Sequence, residues 1–227
     1  MRGSLLVFEG LDGSGKSTQV NLLINYLEDN DISYGYIHFP RYDSKWGKMI
    51  KEYLKGNMNR NNPYYIATLY ANDRYEFVPQ LEEWLEIYDV VICDRYIYSA
   101  MAFQGSQLSN DRGARNFLSD REYFMDWLYE YEFRQNKIPK PNKILYFNVT
   151  IDFIKNNILD RDVEDIHEKL NFQKKVKKVY ENIMKHNKKA EIIDCFRDRF
   201  EDNKILNKKE IHHKVVNLLQ REDLILN

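Results

Sequence analysis

The stretch Leu5-Leu6-Val7-Phe8-Glu9-Gly10-Leu11-Asp12-Gly13-Ser14-Gly15-Lys16-Ser17-Thr18 constrains this chain more than any other. Leu5 to Phe8 is a short apolar run of the kind that forms a buried parallel strand. After the glycine-rich turn, Val20, Leu23, Ile24 and Leu27 fall on one helical face. Between them lies G-x-x-x-x-G-K-[ST], in the strand-loop-helix context that gives the pattern its meaning. The loop therefore sits on a helix N-terminus, where unpaired N–H groups and the positive end of the helix dipole favour polyphosphate. Gly10, Leu11, Asp12, Gly13, Ser14, Gly15, Lys16, Ser17 and Thr18 are expected to cradle a nucleoside triphosphate. In such a cradle Lys16 reaches the outer phosphates and the Ser17 hydroxyl can hold Mg²⁺.

A chain of 227 residues without an evident linker is expected to form one α/β domain over 1–227. With 43% hydrophobic and 30% charged residues it has the balance of a soluble globular protein, and its net charge of -1 offers no footprint for nucleic acid. The apolar runs are strand-sized, and Glu9 interrupts the first, so neither a signal peptide nor a membrane span is expected and the setting is read as cytoplasmic. Cys93 and Cys195 each end an expected buried strand, which argues for reduced structural cysteines.

A second strand is expected over Tyr34 to Phe39, ending at Pro40. Arg41 then lies at a strand's C-terminal end, where open parallel sheets bind ligands, so it is a candidate anion contact. Pro63 opens a helix carrying Tyr70 and Arg74 one turn apart, a pair able to stack on a base and donate to it. Asp89-Val90-Val91-Ile92-Cys93-Asp94-Arg95 delivers an Asp at a strand end, suited to a metal, beside a guanidinium suited to phosphate. Gly105 to Ser119 reads as a mobile surface loop and 152–171 as a polar, mixed-charge segment. Further strands are expected at Lys143 to Val149 and around Ile192-Ile193, making five. A guanine-reading Asn-Lys-x-Asp is missing, because Asn142-Lys143-Ile144 runs into Leu145 and Asn203-Lys204-Ile205 into Leu206.

Together, Phe8 to Thr18, Phe39-Pro40-Arg41, Tyr70 with Arg74, Asp94-Arg95-Tyr96, Pro139-Lys140-Pro141, and Glu168 with Phe172-Gln173 resemble the thymidylate kinases in order and over nearly the whole chain. The resemblance implies a three-layer α/β/α P-loop fold, with a five-stranded parallel sheet and a short helical lid near 152–171. It implies transfer of the γ-phosphoryl group of ATP to dTMP, with Mg²⁺ held by Ser17 and Asp94, in a homodimer built from helix faces. It assigns Lys16, Asp94, Arg95 and Arg161 to catalysis, Arg41 and Arg95 to the acceptor phosphate, and Asp12 to the sugar 3′-hydroxyl. Tyr70 stands where a Phe is usual for stacking on thymine, Arg74 faces the base edge, and Phe39, Pro40, Ser99, Phe103 and His167 complete the dTMP site. Gly13 occupies a loop position that is basic in many members, which leaves Arg161 as the lid's arginine. The rival readings are a deoxynucleotide or deoxynucleoside kinase accepting dUMP, dGMP or thymidine, and a nucleotide-binding module without turnover.

Overall fold

In a computed structural model of the chain, the described residues are 2–58, 62–111, 118–159, 170–197 and 205–225. The expected five-stranded parallel sheet is present, built from β1 (Ser4–Gly10), β2 (Tyr34–His38), β3 (Val90–Asp94), β4 (Lys143–Asn148) and β5 (Ala190–Asp194) in the order β2-β3-β1-β4-β5. β1 is central, and Leu5 to Gly10 are all buried, as a strand covered on both faces must be. It continues through Glu9, whose carboxylate finds hydrogen-bond partners inside the protein rather than ending the strand. From β1 the chain crosses to β2 and β3 on one side and to β4 and β5 on the other. The carboxyl end of β1 is thus the point of reversal, where a crevice opens in such sheets.

Helices cover the sheet: α1 (Lys16–Asp29) packs on α9 (Lys208–Arg221), and α5 (Ile97–Gly105) on α8 (Leu170–Lys185). Between β2 and β3 lie α2 (Lys45–Leu54), α3 (Pro63–Glu76) and α4 (Val78–Ile87); α6 (Asp120–Tyr129) precedes β4 and α7 (Ile151–Leu159) follows it. Sequence chemistry sets several helix starts. Ser44 caps α2 through Gly47 N–H (2.8 Å), Asn62 caps α3 ahead of Pro63, and Ser119 with Glu122 forms a capping box on α6. The expected loop 105–119 is therefore held at both ends: Gly105 closes α5, Ser119 starts α6, and Arg121 donates to the carbonyls of Gly105 and Leu108 (both 2.9 Å). Residues 112–117 of that loop and 160–169 of the expected lid lie outside the described residues. A π-helical turn, Glu130–Gln135, continues α6 with no forewarning in the residue spacing.

The cores are apolar side chains of the strands and inward helix faces, and the expected cysteines are buried and unpaired. The tightest glycine lies in the first turn of α2. A Cβ on Gly47 would lie 1.8 Å from the Arg41 carbonyl oxygen, so the backbone itself would have to move. Gly47→Ala is expected to lower stability by about 1–3 kcal/mol, read as an earlier urea midpoint at unchanged slope; an unchanged midpoint would contradict the close approach.

Candidate functional site

At the carboxyl end of β1, Gly10, Gly13 and Gly15 adopt φ of 154°, 75° and 85°. Gly10 has no room for a side chain either, since a Cβ would meet Ser14 Oγ at 2.9 Å and the Phe147 carbonyl at 3.1 Å. The loop so formed ends on the N-terminus of α1. Lys16 folds back over it, buried, with Nζ donating to the Leu11 carbonyl at 3.1 Å. Burial pushes the Lys16 amine down to about 8. Ser17 Oγ donates to Asp94 Oδ2 at 3.4 Å, whereas Asp94 Oδ1 is buried with no hydrogen-bond partner among the described residues. These groups line a polar cavity together with Asp12 to Gly15, Thr18, His38, Pro40, Tyr42 and Arg95.

A second cavity adjoins it, lined by Leu54 from α2, Tyr70 from α3, and Ser99, Ala100, Phe103 and Gln104 from α5. Asp12, Pro40, Tyr42 and Arg95 line both cavities and so mark their junction. Arg95 is the central group there. Its backbone takes φ 71°, a left-handed conformation rare for a bulky residue, and its N–H donates to the Phe8 carbonyl at 2.9 Å. Nη1 donates to the Gly10 carbonyl and to Ser99 Oγ, each at 3.2 Å, and Nη2 pairs with Asp12. The guanidinium also lies over the Phe103 ring, 5.3 Å from its centroid. Burial is the largest single influence and works against its charge, but Asp12, Tyr180, Asp94 and Glu9 together outweigh it and hold the guanidinium more firmly protonated than an ordinary arginine. Gln173 of α8 donates to the other Asp12 oxygen at 3.1 Å.

Not every expected site residue reaches these cavities. Arg41 turns away: its guanidinium meets Asp73 and Glu76, with Nη2 2.7 Å from Glu76 Oε2, and it lies 5.2 Å over Phe77. Arg74 is fully buried in a two-pronged pair with Glu132 of the π-helical turn, at 2.6 and 2.5 Å, because a guanidinium this deep requires a carboxylate. Phe39 packs in the core against Phe77 and Tyr96, leaving Pro40 to line the cavities. Arg161 and His167 lie outside the described residues. Conversely, His38, Tyr42, Leu54, Gln104 and Gln173 come to the site without having been given a role. Gln104 was within reach of spacing alone, since it stands one helical turn beyond Ala100; for Leu54 no sequence signal existed.

Comparison with known proteins places the chain in a family. The family model described as thymidylate kinase matches residues 8–205. A thymidylate kinase of Plasmodium falciparum is 30% identical over 181 residues, 80% of this chain and 77% of that one. A probable thymidylate kinase of Methanococcus aeolicus is 31% identical over 222 residues, 97% of this chain and 98% of the relative. Among solved structures, a thymidylate kinase from Candida albicans superposes with a TM-score of 0.77 at 24% identity, covering 100% of this chain and 96% of that one, which bears on the fold. The family model spans most of the chain and one relative aligns with it almost end to end, and the chain belongs to the thymidylate kinase family.

Proposed function

We propose that this protein transfers the γ-phosphoryl group of ATP to dTMP, giving dTDP and ADP. The observation that carries the reading is the junction of the two cavities at Asp12, Pro40, Tyr42 and Arg95. One cavity suits a polyphosphate, the other a planar base between Tyr70 and the α5 side chains, and the atoms to be joined would meet beside Arg95. Phosphoryl transfer of this kind asks for positioning and charge stabilisation more than covalent help. Lys16 approaches the donor phosphates. Arg95 receives the acceptor phosphate, and Asp12, next to it, reaches the sugar hydroxyl. The acceptor is already an ionised phosphate, so no general base is required. Ser14 Oγ, buried without a hydrogen-bond partner among the described residues, suits a phosphate oxygen.

Mg²⁺ fits the residues present. Asp94 Oδ1 is a buried carboxylate oxygen still lacking a partner, and Ser17 Oγ lies beside its other oxygen, so these two side chains would hold the ion. Bound there, it neutralises charge on the donor oxygens. At the base, Tyr70 supplies the stacking face and Gln104 an amide able to donate and accept along the pyrimidine edge. We assign Arg74 to bracing α3 against the π-helical turn, and Arg41 to holding the turn that presents Pro40 and Tyr42. Arg161 remains the proposed source of lid charge and His167 a proposed acceptor contact, on the family resemblance alone. The same resemblance carries a homodimer, while the strand-sized apolar runs carry the cytoplasmic setting.

An ADP-release assay across dTMP, dUMP, dGMP and thymidine is expected to rank dTMP first, and Arg95→Ala is expected to cut its kcat/KM about 10²–10³-fold. Turnover with no monophosphate would overturn the kinase reading, and equal rates on dGMP would replace it with a broad-range kinase. Lys16 gives a separate test. With its pKa about 8 in the empty site, it is largely neutral near pH 9, while bound polyphosphate favours the charged amine. ATP binding at about pH 9 is therefore expected to take up close to one proton. Calorimetry in two buffers of different ionisation enthalpy reads this, and Lys16→Met should abolish it; a buffer-independent enthalpy in the unaltered protein would contradict the shift.

A further inference from the structure

Behind Arg95 lies a buried chain of hydrogen bonds that extends to α8. Glu9 is fully buried on β1. Its Oε1 accepts from the backbone N–H groups of Tyr96 (2.9 Å) and Ser99 (3.1 Å), tying the start of α5 to the strand. Its Oε2 accepts from Ser99 Oγ (2.6 Å) and from the Tyr180 hydroxyl (2.8 Å). Ser99 Oγ lies 2.8 Å from that same hydroxyl and accepts from Arg95 Nη1. Three oxygens, Glu9 Oε2, Ser99 Oγ and Tyr180 OH, are thus in mutual reach, and only the two hydroxyls carry hydrogens when the carboxylate is ionised. With both hydrogens directed at Glu9, a Ser99 lone pair remains for Arg95.

We propose that Tyr180 is a positioning residue for phosphoryl transfer: through Glu9 and Ser99 its hydroxyl fixes the Arg95 guanidinium at the junction of the two cavities. This deepens the dTMP kinase reading and rests on it. Remove that hydroxyl, and a buried carboxylate loses one donor, a loss that burial makes costly. Arg95 is the nearest cation that can compensate. Its guanidinium would then be drawn from Asp12 toward Glu9, away from the acceptor phosphate. The Tyr180 ring has a separate, structural duty, stacking on Tyr146 (5.2 Å) and meeting Phe103 edge-on (6.2 Å). Phenylalanine retains that packing, so Tyr180→Phe isolates the hydroxyl.

Initial rates of the full-length protein with ATP and dTMP varied independently test the assignment. Tyr180→Phe is expected to raise the KM for dTMP and lower kcat, with kcat/KM for dTMP falling about tenfold, the worth of one hydrogen bond to a charged group. The KM for ATP is expected to stay unchanged. In a Ser99→Ala background the same substitution should add little, because the chain is already cut. Unaltered kinetics in Tyr180→Phe would overturn the proposal. So would losses that fall equally on ATP and dTMP alongside a lowered melting midpoint, or losses fully additive with Ser99→Ala. Failure of the functional reading is distinguishable, since it appears as absent monophosphate turnover in the unaltered protein.

Discussion

The charge balance around Arg95 is the constraint on which the rest of the site depends. At the carboxyl ends of β1 and β3 the chain gathers two cations, Lys16 and Arg95, and three carboxylates, Glu9, Asp12 and Asp94, in a largely buried space. Each isolated charge there would be expensive, so each is held by another charge or by hydrogen bonds. Asp12 and the Glu9–Ser99 pair grip opposite ends of one guanidinium. The left-handed backbone at Arg95, a conformation costing roughly 1–3 kcal/mol, persists because those contacts over-determine it. In the proposed reaction, an arginine fixed before substrate arrives would need little reorganisation, which is where electrostatic catalysis gains its advantage.

The same logic acts one layer out. Arg74 and Glu132 form a second fully buried pair, joining α3 to the π-helical turn. The pair's net contribution to stability is small, since desolvation offsets attraction. Its effect is geometric: it fixes α3, and with it Tyr70, relative to α5. Arg41, paired with Asp73 and Glu76, does likewise for the turn carrying Pro40 and Tyr42. Arginines in one chain thus divide between lining the cavities and holding their walls. Which does which depends on where the nearest carboxylate lies.

That division explains how much was legible beforehand. Residues 10–18 form a glycine-rich turn from the end of β1 into α1 because strand, glycines and helix follow one another along the chain, and local order suffices to build it. Asp94 was legible for a similar reason: an apolar run fixes a strand, and a strand fixes where its last residue stands. Arg41 and Arg74 carry no such information. Their partners are 32 and 58 residues away, and nothing in the local pattern says that a guanidinium will be claimed by Asp73 or Glu132 rather than left for a ligand. Helical spacing marks Tyr180 as no more than an apolar-face position, and the hydroxyl's contact with Glu9, 171 residues earlier, exists only once α8 packs on α5.

The sequence by itself determined the parallel α/β architecture, the glycine-rich turn from β1 into α1 and the Asp-Arg step at the end of β3, since each is encoded by neighbours and by the alternation of apolar and polar residues. Only the tertiary structure decided which charges face the cavities, that the two cavities share Asp12, Pro40, Tyr42 and Arg95, and that Glu9 lies inside the core. The physical reason is the same in every case. Burial forces each charge to find a counter-charge or a donor, and the choice among candidates is made by distances between segments remote in the chain.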